Sequence, residues 1–293
     1  MFFLPIAPTN PMPRTLLLQA YGAQPIFDEC IYAVLSLVRH YETAGRGLPC
    51  TVVIYTDRPD ALRPYLPEAV LYETLTAATI QEWRGAANFV HRVKIMMLLD
   101  YAHRNPATAI LYADTDTVVE RDLEPLFALI ESGTYLVHTD EGRIDGGSNL
   151  LFKKLTKFLR KNPHFGIPPS TMMYNAGVLG LRGTDIPLLE RVLNLTDTLY
   201  DAYPKHVMEQ MAFSLVLQQS GVVATTDDSI YHYWNFKEFR PIAAAFFTEY
   251  PNTADRLAAL HTIHPRITGK PKAEYEALPF WAKTLRKWRG KKY

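Results

Sequence analysis

The residues best suited to chemistry in this chain are two carboxylates one residue apart, Asp114 and Asp116, in the stretch AILYADTDTVVE at 109–120. Residues 109–113 form an apolar run of strand length, and Val118 and Val119 resume it. Two carboxylates inside an apolar region cost folding free energy if both are buried without partners. Just past a strand end, both can turn toward one cation. Hard oxygen ligands suit Mg2+ or Mn2+, ions that often share carboxylates with substrate phosphates. The pair reads either as a divalent-metal site for a phosphorylated ligand or as a solvated turn with Asp as turn former. Arg92 and Lys94 are either solvated charges or cations aimed at a diphosphate. Glu209 and Gln210 interrupt an apolar helical pattern and need partners, structural or a bound sugar. His264 precedes Gly269 and Lys270 in a proline-bounded loop, as a satisfied side chain or a functional one.

These groups need a scaffold, and the pattern predicts an α/β one. Strands are expected at 15–20 (TLLLQA), 51–55 (TVVIY) and 70–75, with a helix at 28–41 and a short helical piece at 61–66. Strand–helix–strand alternation predicts a Rossmann-like, mostly parallel central sheet with helices on both faces. In such sheets ligands collect beyond the carboxyl ends of the strands, where Asp114 and Asp116 lie. A long helix is predicted at 88–104, a helix at 123–130 and a strand at 134–138. The stretch 139–149 (TDEGRIDGGSN) is predicted to be a polar loop that binds or moves. A basic helix at 150–160 and an irregular stretch at 163–170 follow. Next is a strand at 174–181, in which Gly177 marks close approach of a backbone or ligand, or a tight packing contact. Helices at 185–202, 206–219 and 254–263 and short strands at 222–224 and 230–233 complete the pattern.

The 293 residues, 48% hydrophobic and 21% charged, suffice for one large α/β domain. The expected division is a proline-rich arm at 1–13, a domain at 14–272 and a basic tail at 273–293. A net charge of +1 gives no reason to expect nucleic acid. Cys30 and Cys50 match no metal spacing, which points to a reduced, cytoplasmic chain. The apolar run at 1–4 is too short for a signal peptide, and no 18-residue apolar run predicts a transmembrane helix. In the tail, Trp281, Leu285 and Trp288 fall on one helical face among many Lys and Arg residues. That helix either lies peripherally on an anionic inner membrane face through residues 281–293 or packs on its own domain.

Taken in order, these pieces resemble the GT-A glycosyltransferases, most closely the glycogenin and bacterial lipopolysaccharide galactosyl- and glucosyltransferase group (family GT8). HRVKI (91–95) is similar to that family's Arg-x-Lys helix beside the nucleotide-sugar, and LYADTD (111–116) to its D-x-D metal motif. YNAGVLGL (174–181) is similar to its Asn-Ala-Gly-Val strand, and Glu209-Gln210 stands where the family has Asp-Gln. His264, Lys270 and Pro271 resemble its closing His-x-x-Gly-x-x-Lys-Pro-Trp, although Lys272 replaces the Trp and Gly269 is shifted. His232, in YHYWNF, is the rival third ligand.

The resemblance implies a metal-dependent hexosyltransferase with Mn2+ or Mg2+ on Asp114, Asp116 and His264. The donor, a UDP-sugar, would be held by Tyr21, Asp57, Arg92, Lys94, Asp114, Ala176, Gly177 and Lys270. Gln210, Glu209 and Asn175 would face the sugar, and the anomeric configuration would be retained. The acceptor would be a glycan, a lipid-linked saccharide or a protein. Two other classes compete. Asp114-Thr115-Asp116-Thr117-Val118 also fits the nucleophile motif of haloacid-dehalogenase phosphatases, with Thr226-Asp227-Asp228 as the later acidic motif. A sugar nucleotidyltransferase would share the sheet but needs a glycine-rich basic loop after the first strand, where this chain has AYGAQP.

Overall fold

The computed structural model describes residues 12–147 and 150–288, with the backbone alone at 280, 285 and 287. Most of the predicted arm, residues 148 and 149 of the polar loop, the side chain of Leu285 and positions 289–293 lie outside the described residues.

The chain opens with β1 (Arg14–Ala20), α1 (Gln24–Thr43), β2 (Thr51–Thr56) and β3 (Leu71–Thr74). Next come α2 (Ala77–Arg84), α3 (Arg92–Arg104), β4 (Ala109–Ala113), β5 (Thr117–Val119), α4 (Glu124–Glu131) and β6 (Tyr135–Val137). β7 (Asp140–Arg143), α5 (Leu150–Lys161), β8 (Met172–Tyr174), β9 (Val178–Arg182), α6 (Ile186–Ala202) and α7 (Met208–Ser220) follow. The remainder is β10 (Val223–Thr225), β11 (Ile230–His232), α8 (Phe239–Glu249), α9 (Thr253–Ala259), α10 (Pro265–Thr268), α11 (Lys270–Ala277) and α12 (Phe280–Trp288).

Seven strands form the central sheet in the order β10-β6-β9-β4-β1-β2-β3. β9 runs antiparallel to β4 and β6, and the other pairings are parallel. Alternation along the strands builds two cores. Leu16 and Leu18 of β1, with Val52, Ile54 and Leu111, pack against α1, α4 and α8. Leu17, with Val53, Tyr55, Ile110 and Tyr112, packs against α3, α6 and α7. Side chains of successive strand residues point to opposite faces, so a sheet covered on both sides must be apolar at every position. The α/β class, with helices on both faces, is as expected.

The details depart in five places. The predicted strand at 174–181 is split into the end of β8, a turn at 175–177 that carries Asn175 and Gly177, and β9. α1 starts at Gln24, four residues before the predicted start, with Pro25 in its first turn. The predicted helical piece at 61–66 is a single 3-10 turn at Pro59–Ala61 followed by turns. The helix predicted from 88 begins at Arg92, because Asn88 takes a left-handed φ of 50° and interrupts it. The predicted polar loop instead holds β7, which pairs antiparallel with β8, with a bulge between Asp140 and Gly142. Polar, glycine-containing strands of this kind have no apolar alternation to reveal them.

Candidate metal and donor-sugar site

The D-x-D turn is pinned from both sides. The Asp114 N–H donates to the Gly177 carbonyl at 2.7 Å, extending the β4–β9 ladder. The Asp116 carbonyl accepts from the Tyr233 N–H at 3.0 Å, extending the pairing of β5 with β11. Three separate chain segments therefore set the positions of the two carboxylates. The third group at this point is His232, the last residue of β11. Ligand atoms of Asp114, Asp116 and His232 lie within 4.8 Å of one another.

Hydrogen bonds orient each member. His232 Nε2 lies 3.0 Å from Asp116 Oδ1 and 3.9 Å from Asp114 Oδ2. The other ring nitrogen, Nδ1, lies 3.1 Å from Asn175 Oδ1. Asp116 is buried, and its second oxygen accepts from Lys237 Nζ at 2.6 Å. Burial opposes its charge, but the contacts with His232 and Lys237 hold its carboxyl well below the usual range. Asp114 accepts from the Tyr112 hydroxyl and lies 3.4 Å from Lys94 Nζ. Two carboxylates and an imidazole are a donor set suited to a divalent ion such as Mn2+.

Lys94 sits in the first turn of α3, where a cation opposes the helix dipole, and its side chain is almost fully buried. That placement is stable only with partners. It ion-pairs with Asp114 and, at 3.2 Å, with Glu209 of α7, and it donates to the Ala176 carbonyl at 2.9 Å. Burial pushes Glu209 up to about 7, against the pull of Lys94. The Glu209 carboxyl thus faces Lys94. Gln210 points elsewhere and donates to Glu141 at 2.8 Å.

A cleft of about 390 Å3 opens beside the acidic pair, lined by Gln19, Tyr21, Arg84, His91, Arg240 and Asp116 among others. It lies at the carboxyl ends of β1 and β4, where parallel sheets collect ligands. Arg84 reaches the Tyr21 phenol, which burial otherwise pushes up. Burial and the charge of Lys94 push His91 down to about 4, so the ring is neutral at pH 7. Arg240 forms a two-pronged ion pair with the buried Glu29 on the cleft wall.

Among the solved structures, the chain is similar to mouse xyloside xylosyltransferase 1 in its apo form, with 16% identity over 74% of this chain and 85% of that one (TM-score 0.49). It is also similar to the galactosyltransferase LgtC in complex with donor and acceptor sugar analogs, with 12% identity over 72% and 73% of the two chains (TM-score 0.46). The glycosyltransferase GlyE of Streptococcus pneumoniae TIGR4 aligns at 15% identity over 81% of this chain and 50% of its own (TM-score 0.45). This chain therefore spans half the length of GlyE. No protein-family model and no curated relative matches the sequence.

The structure sorts the residues singled out from sequence. Asp114, Asp116, Lys94, Asn175, Ala176, Gly177 and the rival ligand His232 come together. His264 does not join them. Its Nε2 lies 3.3 Å from Glu120, and its ring lines a separate cavity of about 350 Å3 with Tyr32 and Leu260. Lys270 is exposed and, among the described residues, pairs with Glu274 at 4.0 Å rather than with the acidic pair. Arg92 turns away to Asp197 and to the Trp83 carbonyl, so it is not aimed at the acidic pair. Tyr21 lines the cleft, and Asp57 accepts from the Gly22 N–H at 3.1 Å while its Oδ1 is buried without a hydrogen-bond partner among the described residues. Of the later acidic motif in the phosphatase alternative, Asp227 accepts the Thr139 hydroxyl at 3.1 Å, and the third member of the group around Asp114 and Asp116 is a histidine.

Lys237, Arg84, Arg240 and Glu141 were missed from sequence. For Lys237 there was a signal: His232, Asn235 and Lys237 repeat the closing His-x-x-Gly-x-x-Lys spacing one residue short. The other three had none, because tertiary packing alone brings them to the site.

Proposed function

We propose that this chain is a metal-dependent GT-A glycosyltransferase. It would move a hexose from a nucleotide-diphospho-sugar, a UDP-sugar, to a glycan or lipid-linked acceptor with retention, through the domain at 14–272. The observation that carries this reading is the Asp114–Asp116–His232 group at the mouth of the strand-end cleft. A divalent ion held there, Mn2+ or Mg2+, would supply Lewis-acid stabilisation of the departing diphosphate. Lys237, paired with Asp116, and Arg240, on the cleft wall with Glu29, would add charge-assisted hydrogen bonds to it. Tyr21 on the cleft wall suits a nucleoside, and Asp57, which accepts from the cleft residue Gly22 and keeps one oxygen unshared, would serve it from behind. Gln210, anchored through its amide nitrogen, offers its carbonyl oxygen to a sugar that gains positive charge. The exposed Trp281 and Trp288 of α12 support peripheral membrane contact, which would bring the site to a lipid-linked acceptor.

The test is a thermal-shift panel of UDP-, GDP-, ADP-, CMP- and dTDP-sugars, each with and without Mn2+. A ligand specific to the native state adds about 2.7 kcal/mol at a hundredfold excess over its dissociation constant. We expect a metal-dependent rise with UDP-sugars that Asp116→Ala abolishes without unfolding the protein. A rise with a phosphate mimic and none with any nucleotide would replace this reading by the phosphatase.

A further inference from the structure

We infer that Glu141 is the positioning residue that couples the metal site to the donor-sugar site. The inference rests on the function proposed above. Glu141 Oε1 accepts from Asn175 Nδ2 at 3.1 Å, and its Oε2 accepts from Gln210 Nε2 at 2.8 Å. One carboxylate thus holds two side-chain amides from different parts of the chain, the turn before β9 and the first turn of α7.

The direction of each amide follows from what surrounds it. Asn175 Oδ1 accepts the Gly177 N–H at 2.9 Å, which only an oxygen can do. Its nitrogen must therefore face Glu141, and an acceptor-only carboxylate is the partner a nitrogen needs. The same Oδ1 faces His232 Nδ1, so that ring nitrogen carries the proton and donates it. With Nδ1 held as the donor to Asn175, Nε2 is the nitrogen that faces Asp114 and Asp116. Outer partners of this kind fix the tautomer and orientation of a metal-binding histidine. On the other arm, Glu141 draws the Gln210 nitrogen to itself and leaves the carbonyl oxygen to the sugar.

The backbone supports the assignment independently. Glu141 lies between Asp140 and Gly142, where the β7–β8 register shifts. Such bulges re-aim a side chain and recur beside active sites. The bulge is held by the Gly142 N–H donating to Asp140 Oδ1 at 2.7 Å, with Gly142 at a φ of 88°. A regular strand would alternate its side chains through this point.

Glu141→Gln keeps the shape but places a donor where one of the two amides must be accepted. We expect its metal-free thermal midpoint to match wild type and its Mn2+ affinity, read from free Mn2+ by electron paramagnetic resonance, to fall 10- to 100-fold. With Mn2+ saturating both proteins and the UDP-hexose selected by the panel, kcat for donor hydrolysis should fall while the UDP dissociation constant stays unchanged. In an Asn175→Ala background, Glu141→Gln should cost no further Mn2+ affinity, because the two residues act in series. A functional wild type with equal Mn2+ affinity and kcat in the variant overturns the inference alone. So does a lowered metal-free midpoint with unchanged Mn2+ affinity, which makes Glu141 structural only. A wild type that binds no Mn2+ and hydrolyses no nucleotide-sugar overturns the proposed function and this inference together.

Discussion

Each oxygen of Asp116 has its own partner, and the two define two different tasks. Oδ1 faces the imidazole, and Oδ2 faces Lys237, whose side chain is half exposed. A half-exposed lysine contributes little to stability through such a pair. On the proposed function, its value would lie in the charge it offers a leaving group. Lys237→Ala should lower kcat for donor cleavage by about 10²–10³, the usual cost of one preorganised electrostatic contact, with the melting temperature unchanged. Steady-state kinetics and a melting curve on the same preparation check this. Glu120 shows the opposite balance. Burial opposes its charge, yet the contacts with His264 and Arg266 hold it at about 2. Because its folded value lies below the unfolded one, it stabilises the native state above about pH 4.5 and loses that contribution as pH falls toward 2. Glu120→Gln should be less stable than wild type by about 1–3 kcal/mol at neutral pH, and urea titrations should converge in acid. His264, read from sequence as a metal ligand, thus pairs with Glu120, the residue that follows β5.

At the scale of elements, the site is made where ladders run out. β4 ends at Ala113 and β11 at His232, and Gly177 lies between them in the turn that leads into β9. A Cβ on Gly177 would stand 2.1 Å from His232 Cε1 and 2.2 Å from Nδ1. The close approach expected from sequence is therefore made by the imidazole itself. Gly177→Ala should displace the ring, lower Mn2+ affinity at least 10-fold and leave far-UV circular dichroism unchanged. Which half of the 139–149 stretch is a strand was not legible, because Asp, Glu, Gly and Arg carry no alternating apolar signal. Its partner β8 supplies the order through backbone pairing. α3 gave a partial reading for a similar reason. Arg92 and Lys94 lie two positions apart on a helix and so point in different directions. One enters the site, and the other crosses to Asp197 on α6.

For the whole molecule, the two cores and the strand order bring residues 94, 114, 141, 175, 209 and 232 to one end of the sheet. No helix among the described residues is long and apolar enough to cross a membrane. α12 exposes Trp281 and Trp288, at 66% and 90% of their full surface. Truncation before residue 280 should leave the melting temperature unchanged and abolish binding to vesicles containing anionic lipid, measured by sedimentation. Unchanged binding would remove the membrane proposal. The sequence by itself determined the alternating elements, the acidic turn past a strand and the polar pair on α7, because apolar periodicity and local charge are properties of neighbouring residues. Tertiary structure decided which histidine completes the acidic pair, which cations face the cleft and which carboxylate orients the amides. His232 and His264 each stand in a local sequence that could supply the third ligand. Only the antiparallel pairing of β11 with β5, which sets His232 opposite Thr117, separates the one that meets Asp116 from the one that meets Glu120.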